Sequence, residues 1–457
     1  MIIVNYLLSN KIRNSFLLLV SLFFYAWGEG ILVLVMLGSI YINYIAGVGI
    51  SELSNKKIAK IVLALAICAN LSILFYFKYS NFFIDNLSIL VNFENFNFKE
   101  ILLPIGISFF TFQGISYLID VFRNDTKVQK NPIHLGLYIS LFPQLIAGPI
   151  VRYHDIAMEI ENRKIDLSMF SDGLFRFIRG LSKKVLIANS AALIADKAFE
   201  MNINELPTLV SWLGIICYAL QIYFDFSGYS DMAIGLGKIL GFNFKENFNY
   251  PYISRSIQDF WRRWHISLST WFRDYLYISL GGNRLGKWIT YRNLFIVFLV
   301  TGLWHGASWN FIVWGLFHGL FLILERNNII NVKMFPRFIQ HIYLLLVVLV
   351  AWVFFRTDNL LDSIYYLSTM IGFNNGNNYE PIMYLTNYTL LMLLTGVIFV
   401  TPIRLWLEMK LRINFFIWKR LNSINLFLKP LSYLFLLILV LVELAQSSYN
   451  PFIYFRF

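Results

Sequence analysis

The chain of 457 residues contains six histidines, and two of them stand where an imidazole is suited to chemistry. His305 lies in TGLWHGASWNFIVWGLFHG (Thr301 to Gly319), with the apolar run LFIVFLVTGLW before it and NFIVWGLF shortly after. An ionisable side chain at that hydrophobic depth is a functional candidate by default. A desolvated neutral imidazole has a depressed proton affinity and can take a proton from a hydroxyl. Gly302 and Gly306 flank Trp304-His305 and leave room for a passing chain. His265 lies in FWRRWHISLSTWFRDYLY (Phe260 to Tyr277), where helical spacing puts Trp261, Trp264, Leu268, Phe272 and Tyr275 on one stripe, with Arg262 and Arg273 off it. Aromatic residues with arginines describe a helix lying in a membrane interface, with Gly281-Gly282 as its stop. His265 falls on the inward side of that helix, where a structural role and a catalytic-support role fit equally well. His318, His134, His154 and His341 lack comparable surroundings and are read as structural.

Around these histidines stand charges that need an explanation. Arg255, Arg262, Arg263 and Arg273 suit the phosphates of an acyl carrier such as coenzyme A, because guanidinium pairs well with phosphate. Other loops carry similar charge, so membrane topology explains these arginines too. Asp225, Asp231 and Lys238 lie in LQIYFDFSGYSDMAIGLGKILGFNF (Leu220 to Phe244), a stretch apolar enough to lie in or near a bilayer. Carboxylates there are costly unless paired, which points to Asp225 capping a helix end or pairing an arginine. Glycines 228, 235, 237 and 241 allow close helix approach, and the motif serves as scaffold or as the wall of a substrate tunnel. The chain has no Gly-rich phosphate loop, no His-Glu-x-x-His metal spacing and no Gly-x-Ser-x-Gly elbow. Cys68 and Cys217 both lie in apolar segments and read as core residues.

The elements that must position these residues are membrane helices. The chain is 58% hydrophobic and 14% charged, and several apolar runs approach the roughly 20 residues a spanning helix needs. The runs are continuous rather than alternating, which argues against a β-barrel. The net charge of +12 falls in short loops between apolar runs, a positive-inside pattern rather than a nucleic-acid surface. No charged segment followed by a cleavage site marks a signal peptide. Phe16 to Trp27 and Ile31 to Ile50 form a pair turned at Gly28-Glu29-Gly30, Ile61 to Phe77 is a third span, and Lys78 lies in the loop that follows. Ile101 to Phe122 returns. His134 to Ile150, basic on both flanks and holding Pro143, Gly148 and Pro149, is re-entrant. Val185 to Phe199 and Leu209 to Phe224 go out and back, ending near Asp225 on the cytoplasmic side. Acidic residues such as Glu94 and Glu380 mark outer loops, and Arg404, Lys410 and Arg412 mark an inner one. The sum is an all-α polytopic protein of about 11 spans with re-entrant and interfacial helices. Residues 1–457 form one membrane domain, with a core over about 101–325.

LPIGISFFTFQGISYLIDVFR (Leu103 to Arg123), LIAGPIVRY (Leu145 to Tyr153) and the three motifs above, in fixed order, resemble the membrane-bound O-acyltransferases, in particular the alginate O-acetyltransferase branch of bacteria. The closing SSYNPFIYFRF (Ser447 to Phe457) extends the resemblance to nearly the whole chain. The resemblance implies that His305 matches the family's catalytic histidine and His265 its second, supporting one. It implies a multi-pass protein of the bacterial inner membrane that passes an acetyl group from cytoplasmic acetyl-CoA, a substrate rather than a cofactor, toward an extracytoplasmic glycan. A partner acyltransferase outside the membrane often completes such a transfer. Arg262, Arg263, Arg273, Asp225, Asp231 and Trp304 are the candidate donor-binding residues, and no metal is expected. The family usually opens with a further apolar helix, where this chain has only Met1 to Leu8 before a basic stretch. D-alanyl transfer to teichoic acid, acylation of a lipid or protein, and a transporter without enzymatic activity are the alternatives.

Overall fold

A computed structural model describes residues 1–91, 99–202, 205–373, 381–403, 406–407, 409, 415–446 and 451–453. Glu94, Glu380, Arg404, Lys410 and Arg412 lie outside the described residues, as does all of Ser447 to Phe457 except 451–453. The described residues are helical, without strands, and form two compact units.

The first unit comprises Met1–Leu174, Ala233–Glu246 and Thr270–Ser279. Its helices are α1 (Ile2–Leu7), α2 (Asn10–Glu29), α3 (Val33–Glu52), α4 (Lys56–Val91), α5 (Ile107–Arg123), α6 (Pro132–Ser140), α7 (Phe142–Leu145) and α8 (Tyr153–Glu161). Gly30 ends α2 at φ +59°, a left-handed conformation that glycine adopts without a Cβ penalty, so the chain breaks where the sequence predicts a turn. Asn43 and Asn70 exchange hydrogen bonds of 3.0 and 3.2 Å between α3 and α4, polar glue between otherwise apolar helices. Helix α4 runs for 36 residues, because the apolar pattern continues through Phe82, Phe83 and Leu87. Lys78 therefore does not lie in a loop: it is buried within α4, and its Nζ donates to Ser108 Oγ at 3.3 Å. The segment expected to be re-entrant consists of α6, of nine residues, and α7, of four, broken at Leu141. Neither approaches the roughly 20 residues needed to cross a bilayer.

The second unit comprises Phe175–Met232, Asn247–Ser269 and Leu280–Phe457. The remaining helices are α9 (Leu167–Ser182), α10 (Asn189–Glu200), α11 (Thr208–Ile239), α12 (Ile257–Arg263), α13 (Ile266–Trp271), α14 (Lys287–His305), α15 (Trp309–Arg326), α16 (Arg337–Arg356), α17 (Leu360–Met370), α18 (Asn387–Phe399) and α19 (Phe415–Gln446). The helices α9, α11 and α13 each contribute residues to both units. A π-helical stretch, Lys183–Ala188, follows α9 directly.

Two expectations need correction. Helix α11 does not end near Asp225 but continues through the FDFSGYSDM motif to Ile239, so Asp225 lies mid-helix and caps nothing. The ion pair described below removes the reason to stop there, since a neutralised carboxylate does not interrupt the helix. Phe260 to Tyr277 is not one interfacial helix either: α12 ends at Arg263, the chain bends at His265, and a π-helical turn, Phe272–Tyr277, follows α13. Among the described residues, five helical stretches are long and apolar enough to cross a membrane: Lys11–Glu52, Lys56–Val91, Thr208–Ile239, Arg337–Arg356 and Leu428–Gln446. This is a multi-pass membrane protein.

Candidate active site

The second unit holds a small chamber of about 10 Å³, lined by Ile222, Phe226, Trp264, His265, His305, Trp314, Trp352 and Phe355. The two histidines singled out in the sequence thus face one space. Both are buried, at 3% and 8% exposure.

His305 is the last residue of α14, and the chain turns at Gly306 into α15, whose first turn is capped by Ser308. The two helices approach closely through glycines: a Cβ on Gly302 would collide with the Phe311 carbonyl oxygen, and one on Gly315 with that of Phe298. This close crossing brings Trp314 edge-on to His305, with ring centroids 4.8 Å apart. Phe355 of α16 packs at 5.1 Å and Trp304 at 4.9 Å, so aromatic edges hold the imidazole on several sides. Trp304 is itself buried and lies 6.0 Å from the His265 ring, touching both imidazoles.

His265 occupies the bend between α12 and α13 at φ +43°, a left-handed conformation uncommon outside glycine. Such a backbone persists only where its surroundings over-determine it. Asn247 does so. Its carbonyl oxygen accepts from Ile266 N–H at 2.8 Å, and its side-chain oxygen accepts from Ser267 N–H at 3.1 Å and from Ser267 Oγ at 2.8 Å. The Asn247 amide group donates in turn to Ser230 of α11 at 3.1 Å. Burial holds the His265 imidazole down at about 3, so it is neutral at physiological pH.

The other sequence candidates separate. Asp225 forms a buried ion pair with Lys184 at 2.7 Å, and not with an arginine. Asp231 accepts from Arg176 at 2.8 Å and from Lys183 at 2.8 Å. Arg263 pairs with Asp259 one helical turn away at 3.1 Å, and Arg262 and Arg255 are exposed. Arg273 lies in the first unit and is paired with Asp274 at 2.6 Å. Among the described residues, no group of three or more His, Cys, Asp or Glu is gathered to hold a metal ion.

Sequence reasoning missed Asn247, Trp352 and Phe355, because a loop asparagine and two more aromatics in an aromatic-rich chain carry no local signal. His154 of the first unit, read in the sequence as structural, is held in a network of charges. The Nδ1 of that ring lies 2.8 Å from Asp120 and its Nε2 lies 3.1 Å from Asp155. Asp120 also accepts from the Tyr275 hydroxyl at 2.8 Å, and Lys245 pairs with Asp155. The chain text YHD placed His154 beside Asp155, but Asp120 arrives from a distant helix.

A multi-pass helical membrane protein with two buried imidazoles facing an aromatic chamber is the class that fold and site define. Residues 127–368 match the model of MBOAT, the membrane-bound O-acyltransferase family, and the chain belongs to that family. It is 47% identical over 360 residues to the probable alginate O-acetylase AlgI of Pseudomonas syringae pv. tomato, covering 78% of this chain and 69% of the relative. The probable alginate O-acetylase AlgI of Pseudomonas putida is 40% identical over 477 residues, covering 99% and 96%. The peptidoglycan O-acetyltransferase of Helicobacter pylori is 35% identical over 483 residues, covering 96% and 91%.

Proposed function

We propose that this O-acyltransferase moves an acetyl group from cytoplasmic acetyl-CoA through the His265–His305 chamber for O-acetylation of an extracytoplasmic polysaccharide such as alginate or peptidoglycan. The observation that carries the reading is the pair of buried imidazoles lining one apolar chamber. His305 takes the proton of the acceptor hydroxyl as its oxygen attacks the acetyl carbonyl. The carbon–sulfur bond breaks, and the imidazolium returns the proton to the departing thiolate. In the covalent variant the His305 nitrogen carries the acetyl group between two such transfers. His265 supports His305 from the chamber's other side. Trp304, packed on both rings, orients them, and excluded water cannot compete for the acetyl group.

Arg262 and Arg263, adjacent on α12, are the residues of choice for the donor's phosphates, with Arg273 a further candidate. Asp225 and Asp231, each held by cations, serve the donor through the shape of α11. Among the described residues the lining holds no carboxylate to pair with an ammonium group, which favours an acetyl over a D-alanyl cargo. The reading carries about 11 crossings of the bacterial inner membrane, with basic loops cytoplasmic. A partner acyltransferase outside the membrane completes transfer to the glycan.

Turnover of labelled acetyl-CoA by purified wild type and His305→Ala tests the chemistry. Label transfer by wild type and none by the variant is expected, and equal transfer by both would remove His305 from the mechanism. Comparing wall and capsule acetylation with and without the gene identifies the acceptor.

A further inference from the structure

The segment Pro451–Ile453 is not a loose end of the second unit. Its Ile453 is 3% exposed, and the Ile453 backbone N–H donates to Asp225 Oδ2 at 2.5 Å. The carbonyl oxygen of Pro451 accepts from Lys184 Nζ at 3.0 Å, and the same ammonium forms the 2.7 Å pair with Asp225 Oδ1. Between these two backbone contacts, the Phe452 ring lies 4.8 Å from Lys184 Nζ and meets Tyr229 of α11 edge-on at 5.0 Å. One short segment therefore supplies a donor to a buried carboxylate, an acceptor to the cation that neutralises it, and an aromatic face to that cation.

The chain positions this cluster against the chamber. Asp225 is flanked on α11 by Ile222, one turn before it, and Phe226, immediately after it, and both line the chamber with the two histidines. Lys184 comes from the π-helical stretch Lys183–Ala188, whose wider turn redirects the side chains that follow. A buried ion pair is weak evidence of net stability, since desolvating both partners is costly. Its value here is directional: one carboxylate oxygen accepts from the Ile453 N–H and the other lies in ion-pair contact with Lys184, two separate elements that set the turn of α11 facing the histidines.

We propose that Pro451–Ile453 is a positioning strap of the transferase chamber, acting through Lys184 and Asp225 to hold the face of α11 that presents Ile222 and Phe226 to His265 and His305. The inference rests on the chamber being where acyl transfer takes place. The strap touches no reacting atom. It governs how well the acyl group and the imidazoles are aligned, so its loss acts on kcat rather than on donor binding.

The test uses the full membrane protein with acetyl-CoA as donor and compares Ile453→Pro, which removes the donating N–H together with the buried isoleucine side chain, with deletion of residues 451–457. Turnover is normalised to folded protein counted by size-exclusion chromatography in detergent. Both variants are expected to lose about ten- to a hundredfold in kcat with KM for the donor unchanged, the scale of a small misplacement at a reacting centre. Adding a synthetic peptide of residues 447–457 to the deletion variant should restore kcat in a dose-dependent way. Should the deletion variant fail to accumulate, Asp225→Asn, which keeps an acceptor for Ile453 while losing the charge on the pair, joins Ile453→Pro as the second arm. Normal kcat in these variants, or a loss that tracks folded protein alone, overturns the strap. His305→Ala is run beside them. Wild-type turnover in that variant sinks the chamber reading, whereas a silent His305→Ala with fully active strap variants sinks the strap alone.

Discussion

His154 and His265 both stand at the start of short helices, yet the two units treat the imidazole in opposite ways. In the first unit a carboxylate faces each ring nitrogen of His154, and Asp120 and Asp155 raise it to about 9, so both nitrogens carry protons. In the second unit His265 is closed in by Phe248 and Trp304, and burial alone drives it down to about 3. The difference teaches what sets the protonation state of an imidazole. Neither residue type nor helix position decides it; the number of charges that face the ring does. His154 is committed to an ion-pair network and cannot accept a proton, whereas the chamber holds His265 neutral.

The hardest test of that contrast is His305→Ala or His305→Gln. General-base help is worth roughly 10²- to 10⁴-fold, and a chamber lined by apolar and aromatic side chains offers little substitute. Acetyl transfer should fall by that much in either variant while the protein remains inserted and monodisperse. Rapid-quench trapping on wild type then separates the two routes, since an acid-labile acetyl-enzyme appears only on the covalent one. The matching change in the first unit, His154→Gln, should leave donor turnover within about threefold, because a single ion-pair network is worth only a few kcal/mol of local stability. A collapse of kcat in His154→Gln would erase the distinction between the two regions.

His265→Ala should reduce transfer less than His305→Ala does and should also loosen the bend, because alanine is strained at φ +43°. His265→Asn tolerates that backbone and separates the two effects. If His265→Asn recovers the thermal midpoint but not the activity, the ring supports the chemistry. If it recovers both, the ring is a bystander. Asn247→Ala unhooks the same bend from outside the chamber and leaves the Ser267 donors without their acceptor, at a cost of about 1–3 kcal/mol. Its loss of activity should resemble that of His265→Ala, and an unperturbed Asn247→Ala would show that the bend holds itself.

How much of this was legible in the sequence follows from how local each signal is. The burial of His305 was legible because hydrophobicity on both sides of one histidine is a pattern within twenty residues. The break of the His134 to Ile150 segment was legible for the same reason, with Pro143 and Gly148 marking it. Asp225 as a helix end was not: a carboxylate in an apolar run looks like an interruption until Lys184 and the Ile453 N–H, 41 and 228 residues away, neutralise it. The single helix expected over Phe260 to Tyr277 failed because Asn247, outside the window, bends the backbone that periodicity would have kept straight. His154 was read as structural, but its network was not legible because half of its partnership, Asp120, comes from α5.

The smallest expected effect, and the one that addresses the comparison most directly, is the pH dependence of stability. His154 is raised in the fold from about 6.5 to about 9, so its contribution is fully present below pH 6.5 and is lost as pH rises through 9. His265 is lowered from about 6.5 to about 3, so its contribution is present above pH 6.5 and is lost as pH falls toward 3. The two regions should therefore limit opposite ends of the stability profile. Asp155 adds to the acid side. Burial pushes its carboxyl up, yet hydrogen bonds from His154 and Lys245 hold it below the ordinary carboxylate range. The His154 side chain is 32% exposed, so solvent screens its ion pairs and trims the alkaline effect. Thermal midpoints between pH 5 and 9.5 should fall on the alkaline side in wild type and flatten there in His154→Gln. His265→Asn, which cannot titrate, should flatten the acid side and leave the alkaline fall intact. A His154→Gln profile that flattens on the acid side instead would mean that His154 is neutral in the fold, and the contrast between an ion-paired and a neutral imidazole would go with it.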